Sequence, residues 1–189
     1  MKNFKSTYSR IPHRQHGVTL IEVSIVLAVA AIIAIAVLEG GPFVRNHARS
    51  YQLNQEMAHF ASGILSATAS DSDFSTITTA AMVQNDAFQS AGSRVSLANG
   101  TVTGIWQGDI TVQPETVNTA NDGAGLTYPN VPSGVCAVAV QGLKSSFPEL
   151  TINGTVIVSP TVTFTDAAAG AACNSANSVD IVAVVTRTQ

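Results

Sequence analysis

A single carboxylate stands inside an apolar run of the sequence. Glu22 is the only ionisable side chain in residues 18–38, a length that as a helix would span roughly 30 Å, the hydrocarbon thickness of a bilayer. A carboxylate near the bilayer core costs about 2.5–3.5 kcal/mol and usually has a partner. Cleavage of the bond between Gly17 and Val18 would create an α-amino group about one helical turn from Glu22, on the same helix or on a packed neighbour. The spacing therefore predicts an ion pair that neutralises both charges.

The sequence gives little indication of a catalytic or metal-binding site. Two of the four histidines, His13 and His16, lie in the N-terminal segment. On one helix His47 and His59 would be some 18 Å apart, too far to share a metal. The sequence contains no Gly-x-Ser-x-Gly, phosphate-loop or His-Glu-x-x-His motif. We therefore predict that the protein is not an enzyme and binds no metal or cofactor.

Ser24 and Trp106 have side chains that could react or bind a ligand, but each has a simpler structural interpretation. We interpret Ser24, inside the apolar run, as hydrogen-bonded to a backbone carbonyl rather than as a nucleophile. Trp106 lies between Gly104 and Gly108, and we interpret it as a packing residue rather than as a platform for a sugar. Neither residue belongs to a catalytic constellation.

The residues around the Gly17–Val18 bond resemble a known processing signal. Gly17 is followed by Val-Thr-Leu-Ile-Glu-Val, preceded by a short basic leader and followed by a membrane-length apolar segment. This pattern resembles the class III signal of type IV prepilins and related pseudopilins, and it covers the N-terminal quarter of the chain. The resemblance implies that a membrane-embedded prepilin peptidase cuts after Gly17 on the cytoplasmic side and that Val18 is then N-methylated. It also implies that Glu22 guides the subunit into the growing fibre.

Two features depart from the commonest branch of that family. The first residue after the cut is Val18 rather than Phe, and the leader, residues 1–17, is long. Both point to the type IVb branch, which includes plasmid conjugation pilins and enteric colonisation pilins. The resemblance then implies a major pilin that polymerises with copies of itself. Its other partners would be the peptidase, the assembly machinery of the inner membrane and a surface receptor that the sequence does not identify.

The charges are few and unevenly placed. Charged residues make up 11% of the chain, and the mean hydropathy is +0.26, which suits a subunit that copies of itself cover. Removing the four leader cations, Lys2, Lys5, Arg10 and Arg14, lowers the formal net charge from −3 to −7. A basic leader stays in the cytoplasm, so we expect the C-terminal domain in the periplasm and then outside the cell in a pilus. Its acidity argues against a nucleic-acid partner.

Several alternatives stay open. The N-terminal segment could be an ordinary secretory signal cut before Val37, or an uncut membrane anchor, although neither explains Gly17 and Glu22 together. Within the family, the chain could be a minor pilin or a type II secretion pseudopilin. From a different class, it could be a membrane-anchored periplasmic binding or enzymatic domain, for which Glu22→Ala should be harmless.

A long helix in two parts must position these groups. We predict a transmembrane and filament-core part over residues 18–38 and an amphipathic part over residues 39–66. The Gly-Gly-Pro within residues 39–42 predicts a kink or a locally melted turn, Gly63 is a weak point, and the helix should end within residues 66–72. One apolar stripe follows helical spacing: Leu53, Met57, Phe60, Ala61, Ile64 and Leu65.

A connecting region should follow the helix. Residues 67–93 are rich in Ser, Thr, Ala and Asp in their first part, and we expect one short helix within residues 79–88. We interpret Asp71 and Asp73 as loop or capping residues rather than as calcium ligands, because no fuller ligand loop follows.

Strand signals dominate residues 94–189. Asn-Gly pairs at residues 99–100 and 153–154 predict two-residue hairpin turns. We expect a loop from residue 113 to Ser133 and a short helix over residues 143–147. The predicted strands are residues 95–97, 101–103, 110–112, 135–140 as a doubly buried central strand, 151–152, 155–158, 161–165 with Val162 and Phe164 inward, and 179–186. This order predicts an α+β type IV pilin fold, with an antiparallel sheet packed on the helix.

Cys136 and Cys173 are the only cysteines. In an exported domain such a pair predicts a disulfide, which would stabilise the fold by roughly 4 kcal/mol in the chain-entropy model. Two buried free thiols or a metal pair are the alternatives. The resemblance to type IV pilins implies that the region bounded by the disulfide, residues 136–173, presents the fibre surface on which receptor contact and antigenic variation are expected.

Overall fold

The computed structural model describes residues 19–187, apart from the side chain of Glu39. Within these residues the helices are α1 (Leu20–Ala67), α2 (Thr79–Gln84), α3 (Ser133–Leu143) and α4 (Asp166–Cys173), with a short 3₁₀ helix over Gln89–Arg94. The strands are β1 (Val95–Ser96), β2 (Thr101–Thr103), β3 (Asp109–Glu115), β4 (Gly123–Pro132), β5 (Glu149–Ile152), β6 (Thr155–Val158) and β7 (Ser178–Thr186). The described residues fall into two compact units, one ending at Pro42 and the other beginning at Phe43.

Helical structure continues through the residues where a break was possible. α1 includes Gly40, Gly41 and Pro42, so the locally melted turn that the sequence offered as one alternative is not formed. Pro42 removes one backbone donor and its ring crowds the preceding turn, yet the helix continues through it.

The second part of α1 is amphipathic, as predicted. Four residues of the apolar stripe are fully buried in the core of the second unit: Leu53, Met57, Phe60 and Ile64. Ala61 and Leu65 are partly buried against the same core. Because positions three and four apart share one face of a helix, the stripe gives the sheet a continuous surface to pack on. The helix ends at Ala67, inside the predicted interval.

All the strands join one antiparallel sheet of order β1-β2-β3-β4-β7-β5-β6. The C-terminal strand β7 pairs with both β4 and β5, which places it inside the sheet. Alternate residues of the central strands face the helices, among them Leu126, Ile181 and Leu150, and these are fully buried. The predicted α+β class, a long N-terminal helix followed by an antiparallel sheet, is confirmed.

One of the two predicted turns is confirmed in detail. Asn153 and Gly154 have φ angles of 48° and 81°, and they join β5 to β6 through the pair Ile152 and Thr155. Both central positions of the turn need positive φ, which Asn and Gly adopt most readily. The β1–β2 hairpin also exists, but its connection has four residues, 97–100, because Ser96 pairs with Thr101. The prediction of a two-residue turn there is wrong.

The apolar run at residues 135–140 is helix and not the predicted central strand. It lies in α3, where Cys136, Ala139, Val140 and Leu143 are buried at helical spacing. A short apolar run does not by itself distinguish a buried strand from a buried helix. The predicted helix over residues 143–147 is also wrong, since α3 ends at Leu143.

The central strand is instead β4, which lies in the predicted loop. β4 pairs with β3 on one side and with β7 on the other. β4 contains Gly, Pro and Asn residues, which are uncommon in strands and weaken the strand signal of its sequence. Its Asn and the Pro before it lie at a register shift between Tyr128 and Val131. The predicted strand at residues 161–165 is likewise absent: Val162 makes one isolated bridge to Ser159, and Thr165 caps α4 by accepting a hydrogen bond from the Ala168 amide at 3.2 Å.

The connecting region contains the expected short helix in shorter form. α2 covers Thr79–Gln84 and is capped by the Thr78 side chain, which accepts from the Ala81 amide at 3.2 Å. Beyond it, the backbone of Ala87 passes so close to Gly63 of α1 that a β-carbon there would overlap the Ala87 carbonyl. Gly63 is therefore a close-approach position between two segments rather than a weak point.

Candidate functional site

Glu22 lies in the first turn of α1. Its amide donates to the Thr19 carbonyl at 3.0 Å and to the Thr19 hydroxyl at 3.3 Å, which fixes the start of the helix. Among the described residues no hydrogen bond or ion pair engages its carboxylate. The expected partner is the amine of Val18, and both Gly17 and Val18 lie outside the described residues, so the cleavage site, the methylation site and the ion pair stay predictions.

The described side chains of the apolar helix around Glu22 are exposed. Leu20 is 89% exposed and Leu38 is 75% exposed, and every described side chain between them is exposed as well. The helix that begins at Leu20 is the one segment among the described residues long and apolar enough to cross a membrane. Apolar area of this extent is buried by lipid or by other proteins in a stable state.

Ser24 does not contribute chemistry to this helix. Its hydroxyl donates to the Ile21 carbonyl at 2.8 Å, as predicted. Such back-bonding satisfies the hydroxyl group within an apolar segment. Because the bond stays within its own helix, a substitution of Ser24 can serve as a control for a substitution of Glu22.

The two cysteines form the predicted disulfide. Cys136 lies in α3 and Cys173 is the last residue of α4; their sulfurs are 1.97 Å apart, and both residues are fully buried. The bond fastens α4, with its sequence Asp-Ala-Ala-Ala-Gly-Ala-Ala-Cys, to a helix of the core. Because small side chains bury little apolar area, covalent attachment supplies stability that packing of α4 alone would not.

The region bounded by the disulfide presents a mixed surface. Residues 137–172 include the end of α3, the β5–β6 hairpin and most of α4. Val156 and Val162 are both more than one-third exposed, beside the hydroxyls of Ser159 and Thr161, which hydrogen-bond to each other at 3.2 Å. The side chains of this surface offer hydrogen bonds and modest apolar contacts.

A charged network that the sequence did not predict joins α1 to the sheet. Arg94 donates to the Glu56 carboxylate at 2.6 Å and to the Thr103 carbonyl at 2.8 Å. The Tyr128 hydroxyl donates to the other Glu56 oxygen at 3.3 Å and accepts from the Ile105 amide at 2.7 Å. Burial, the largest cause, raises the pKa of Tyr128 well above its usual value, so the hydroxyl remains a donor. The residues are far apart in sequence, and no local pattern predicts their meeting.

The aromatic residues of this region pack together. Trp106 meets the edge of Tyr128 with ring centroids 5.7 Å apart, and it packs against the core, in line with its interpretation as a packing residue. In α1, the rings of His47 and Phe43 pack in a tilted arrangement with centroids 4.3 Å apart.

The C-terminal end of β7 is tied to the end of α1. Arg187 donates to the carbonyls of Thr68 and Asp71 and lies 4.5 Å from the centroid of the Phe74 ring. Asp73 accepts from the Ser75 hydroxyl and amide, which lower its pKa, so it acts as a loop residue, as interpreted. Among the residues that the structure describes, no group of three His, Cys, Asp or Glu side chains could hold a metal ion.

Comparisons with protein families match almost the whole chain. A family model described as "PilS N terminal" matches residues 47–186. A second model, the prokaryotic N-terminal methylation motif, matches residues 12–38. The first match covers the second structural unit, and the second covers Gly17, Val18 and Glu22. No match is found among curated protein sequences.

The chain is similar to two solved structures. The crystal structure of a type IV b pilin from Salmonella typhi aligns with a TM-score of 0.54 at 19% identity, over 69% of this chain and 95% of that one. The crystal structure of TcpA, a type IV pilin from Vibrio cholerae El Tor biotype, aligns with a TM-score of 0.49 at 14% identity, over 70% of this chain and 98% of that one. At these identities the first likeness shows a common fold.

Proposed function

The chain belongs to the PilS family of type IV pilins, and from that premise we propose that it is the major structural subunit of a type IVb-like pilus. In this proposal a prepilin peptidase cuts after Gly17, Val18 is N-methylated, and the subunit polymerises through its N-terminal helix. The filament then serves adhesion, aggregation or conjugative mating contact.

One observation carries the proposal: the apolar helix from Leu20 to Leu38 is exposed along its whole described length. Before assembly the inner membrane would cover this surface. In the fibre, the same helices of neighbouring subunits would cover it, so that the apolar area leaves lipid without entering water. A membrane-anchored enzyme or binding domain needs the first state alone, whereas a fibre subunit uses both.

Glu22 supplies axial register in this scheme. The carboxylate is unpaired among the described residues, and a free amine at Val18 of a neighbouring subunit is its complement. Since an unpaired carboxylate in an apolar core costs about 2.5–3.5 kcal/mol, subunits that align amine with carboxylate are favoured over those that slip.

The remaining partners follow from the same scheme. The basic leader keeps the N-terminus in the cytoplasm, so the domain that begins at Phe43 waits in the periplasm, where the inner-membrane assembly machinery takes it up. On the fibre, residues 137–172 form the candidate surface for a receptor, because this region is tethered by the disulfide and carries exposed valines and hydroxyls.

The experiment that tests this function determines the N-terminus and intact mass of the protein from membranes and from sheared fibres, with and without the host prepilin peptidase. We expect a chain that begins at Val18, one methyl group heavier than its sequence, and that depends on the peptidase. We also expect it to be the principal protein of the sheared fibres. A start at Met1 or Val37 would overturn the pilin cleavage, and a trace amount in fibres would indicate a minor subunit instead.

A further inference from the structure

Two arginines near the start of the second unit have no hydrogen-bond or ion-pair partner among the residues that the structure describes. From residue 43 onward the chain has five basic and ten acidic side chains, a formal charge of −5. Arg94 pairs with Glu56, Arg187 binds backbone carbonyls, and Lys144 binds Gln141 and lies over the Phe164 ring. Among the described residues, no hydrogen bond or ion pair engages Arg45 or Arg49, and both side chains are exposed.

The same stretch of α1 exposes aromatic and apolar side chains. Phe43 is 65% exposed, Val44 67% and Tyr51 64%. Because successive helical residues are about 100° apart, exposed residues from 43 to 49, interrupted at Asn46 alone, surround the helix on nearly all sides. We name six of the exposed residues of this stretch the collar: Phe43, Val44, Arg45, His47, Arg49 and Tyr51.

The composition of the collar fits the boundary between lipid and water. Tyrosine is enriched at the headgroup level of membranes, and arginine places its charged end among headgroups while its stem contacts apolar chains. In plain water, by contrast, the apolar members of the collar would remain an uncovered patch. The mixture is of the kind expected where a helix leaves a bilayer.

The place of the collar in the sequence agrees with this environment. The collar begins five residues after the apolar span of residues 18–38 and lies within about four helical turns of its end. Its two arginines are fewer than the four cations of the leader, so they do not reverse the expected orientation.

The charge of the collar indicates which class of lipid it would bind. The unit as a whole carries −5, so attraction to an anionic membrane comes from the local charge of Arg45 and Arg49 and not from the net charge. The attraction of a basic residue to anionic headgroups is worth roughly a fivefold change in association per residue and fades within a Debye length. The collar arginines are therefore the groups placed to contact headgroups directly.

We propose that the collar binds the phosphate groups of anionic phospholipids at the membrane surface while the subunit awaits assembly. The inference rests on the membrane-anchored stage of the proposed function. It assigns to Arg45 and Arg49 a role distinct from that of Glu22, because they recognise lipid headgroups and not a neighbouring subunit.

The test uses the mature chain reconstituted in phosphatidylcholine vesicles that contain a trace of spin-labelled phosphatidylglycerol or spin-labelled phosphatidylcholine. Electron spin resonance gives the association of each labelled lipid with the protein. We expect a severalfold preference for phosphatidylglycerol that weakens in high salt and is lost in Arg45→Gln/Arg49→Gln. The charge-conserving Arg45→Lys/Arg49→Lys variant and Lys144→Gln, which removes a cation elsewhere, should both keep the preference.

Equal association of the two lipids with the wild-type chain would overturn the inference, as would an unchanged preference in the double glutamine variant. If that variant kept the lipid preference but lost fibres, the arginines would serve a contact between subunits, which also overturns it. Resistance of the chain to alkaline extraction separates the two proposals. A chain that the alkaline wash removes would refute the membrane-anchored stage and this inference together, whereas a retained chain without lipid preference would refute this inference alone.

Discussion

The side-chain amide of Asn54 in α1 occupies the place that a β-carbon on Gly142 of α3 would take. Asn46 stands in the same relation to Gly134, and the two asparagines and the two glycines are each eight residues apart. Positions eight residues apart are two steps along the i, i+4 ridge of a helix, so the contacts lie along one seam between the helices. α3 thus approaches α1 closely where its glycines face the asparagines of α1.

Gly142→Ala should destabilise the fold. The added methyl group requires Asn54 to leave its position or α3 to move away, at a cost of about 1–3 kcal/mol. Guanidinium unfolding of the chain in detergent micelles, followed by circular dichroism, measures the change. Gly170→Ala in α4 is the control: a β-carbon there meets no heavy atom within 4 Å, so this change should be neutral or slightly stabilising.

A second substitution distinguishes the contact between Asn54 and Gly142 from a general effect of replacing a helical glycine with alanine. Asn54→Ala in the Gly142→Ala background removes the overlap and should recover most of the lost stability. Equal losses for Gly142→Ala and Gly170→Ala, or no recovery in the double variant, would contradict the packing of Asn54 on Gly142.

Gly63→Ala should cost more, about 3 kcal/mol. Its close neighbour is the Ala87 carbonyl, and a backbone group cannot rotate aside as an amide side chain can. Gly41→Ala changes the same residue type in the same helix where nothing lies within 4 Å, and there the better helix propensity of alanine should show instead. The same unfolding experiment compares them, and a loss for Gly63→Ala no greater than that for Gly41→Ala would refute the close approach.

Sequence reasoning succeeded where one local rule decided the structure. Spacing on one helix face identified Leu53, Met57, Phe60 and Ile64, and the positive φ required by a tight turn identified Asn153-Gly154. The disulfide followed because two cysteines allow one connection. In each of these cases the physical cause lies within a few residues of the feature, or is fixed by counting.

Sequence reasoning failed where tertiary contacts determined the structure. β4 has glycines at positions 123 and 125, which weaken any strand signal, yet the folded chain requires them. A β-carbon on Gly123 would meet the Val184 side chain, and one on Gly125 would meet the Glu115 side chain that lies across it. Such residues are required by side chains on the neighbouring strands, which no local pattern of the sequence identifies. The Glu56–Arg94 pair and the seam between Asn54 and Gly142 escaped prediction for the same reason.

Arg94→Met should destabilise the second unit by about 2 kcal/mol, because it leaves the carboxylate of Glu56, 10% exposed, without its cation. Glu56→Gln in the same background removes the uncompensated charge and should recover part of the loss. A double-mutant cycle on the unfolding free energies measures the coupling. Additive losses in the cycle would mean that the pair contributes no interaction of its own.

The stability of the sheet should depend on the ionisation of Glu149. Burial, and then the charge of Glu115, raise the pKa of Glu149 in the folded chain, so the native state holds this proton more tightly than the unfolded state. Stability is then lost as the pH rises from the unfolded value of about 4.3 through the raised folded value. Glu149→Gln should therefore stabilise the chain at pH 7 and have little effect below about pH 4.

Unfolding midpoints of the wild type and of Glu149→Gln at pH 4 and pH 7 check this dependence. Glu115→Gln should give a smaller gain at pH 7, because it removes the lesser of the two causes. A difference between wild type and Glu149→Gln that is the same at both pH values would contradict the raised pKa.

Glu22→Gln should abolish surface fibres without removing the subunit from the membrane. The substitution keeps the size of the side chain and removes the charge that would neutralise the amine of Val18, whose isolation in an apolar core costs enough to lower assembly at least tenfold. Ser24→Ala is the matched control two residues away, since its hydroxyl binds its own helix at 2.8 Å. Shearing and immunoblotting measure the fibres, and membrane fractions measure the unassembled subunit. Normal fibres from Glu22→Gln would refute the assembly role, whereas equal loss from Ser24→Ala would show that the helix tolerates no change there and that charge is not the cause.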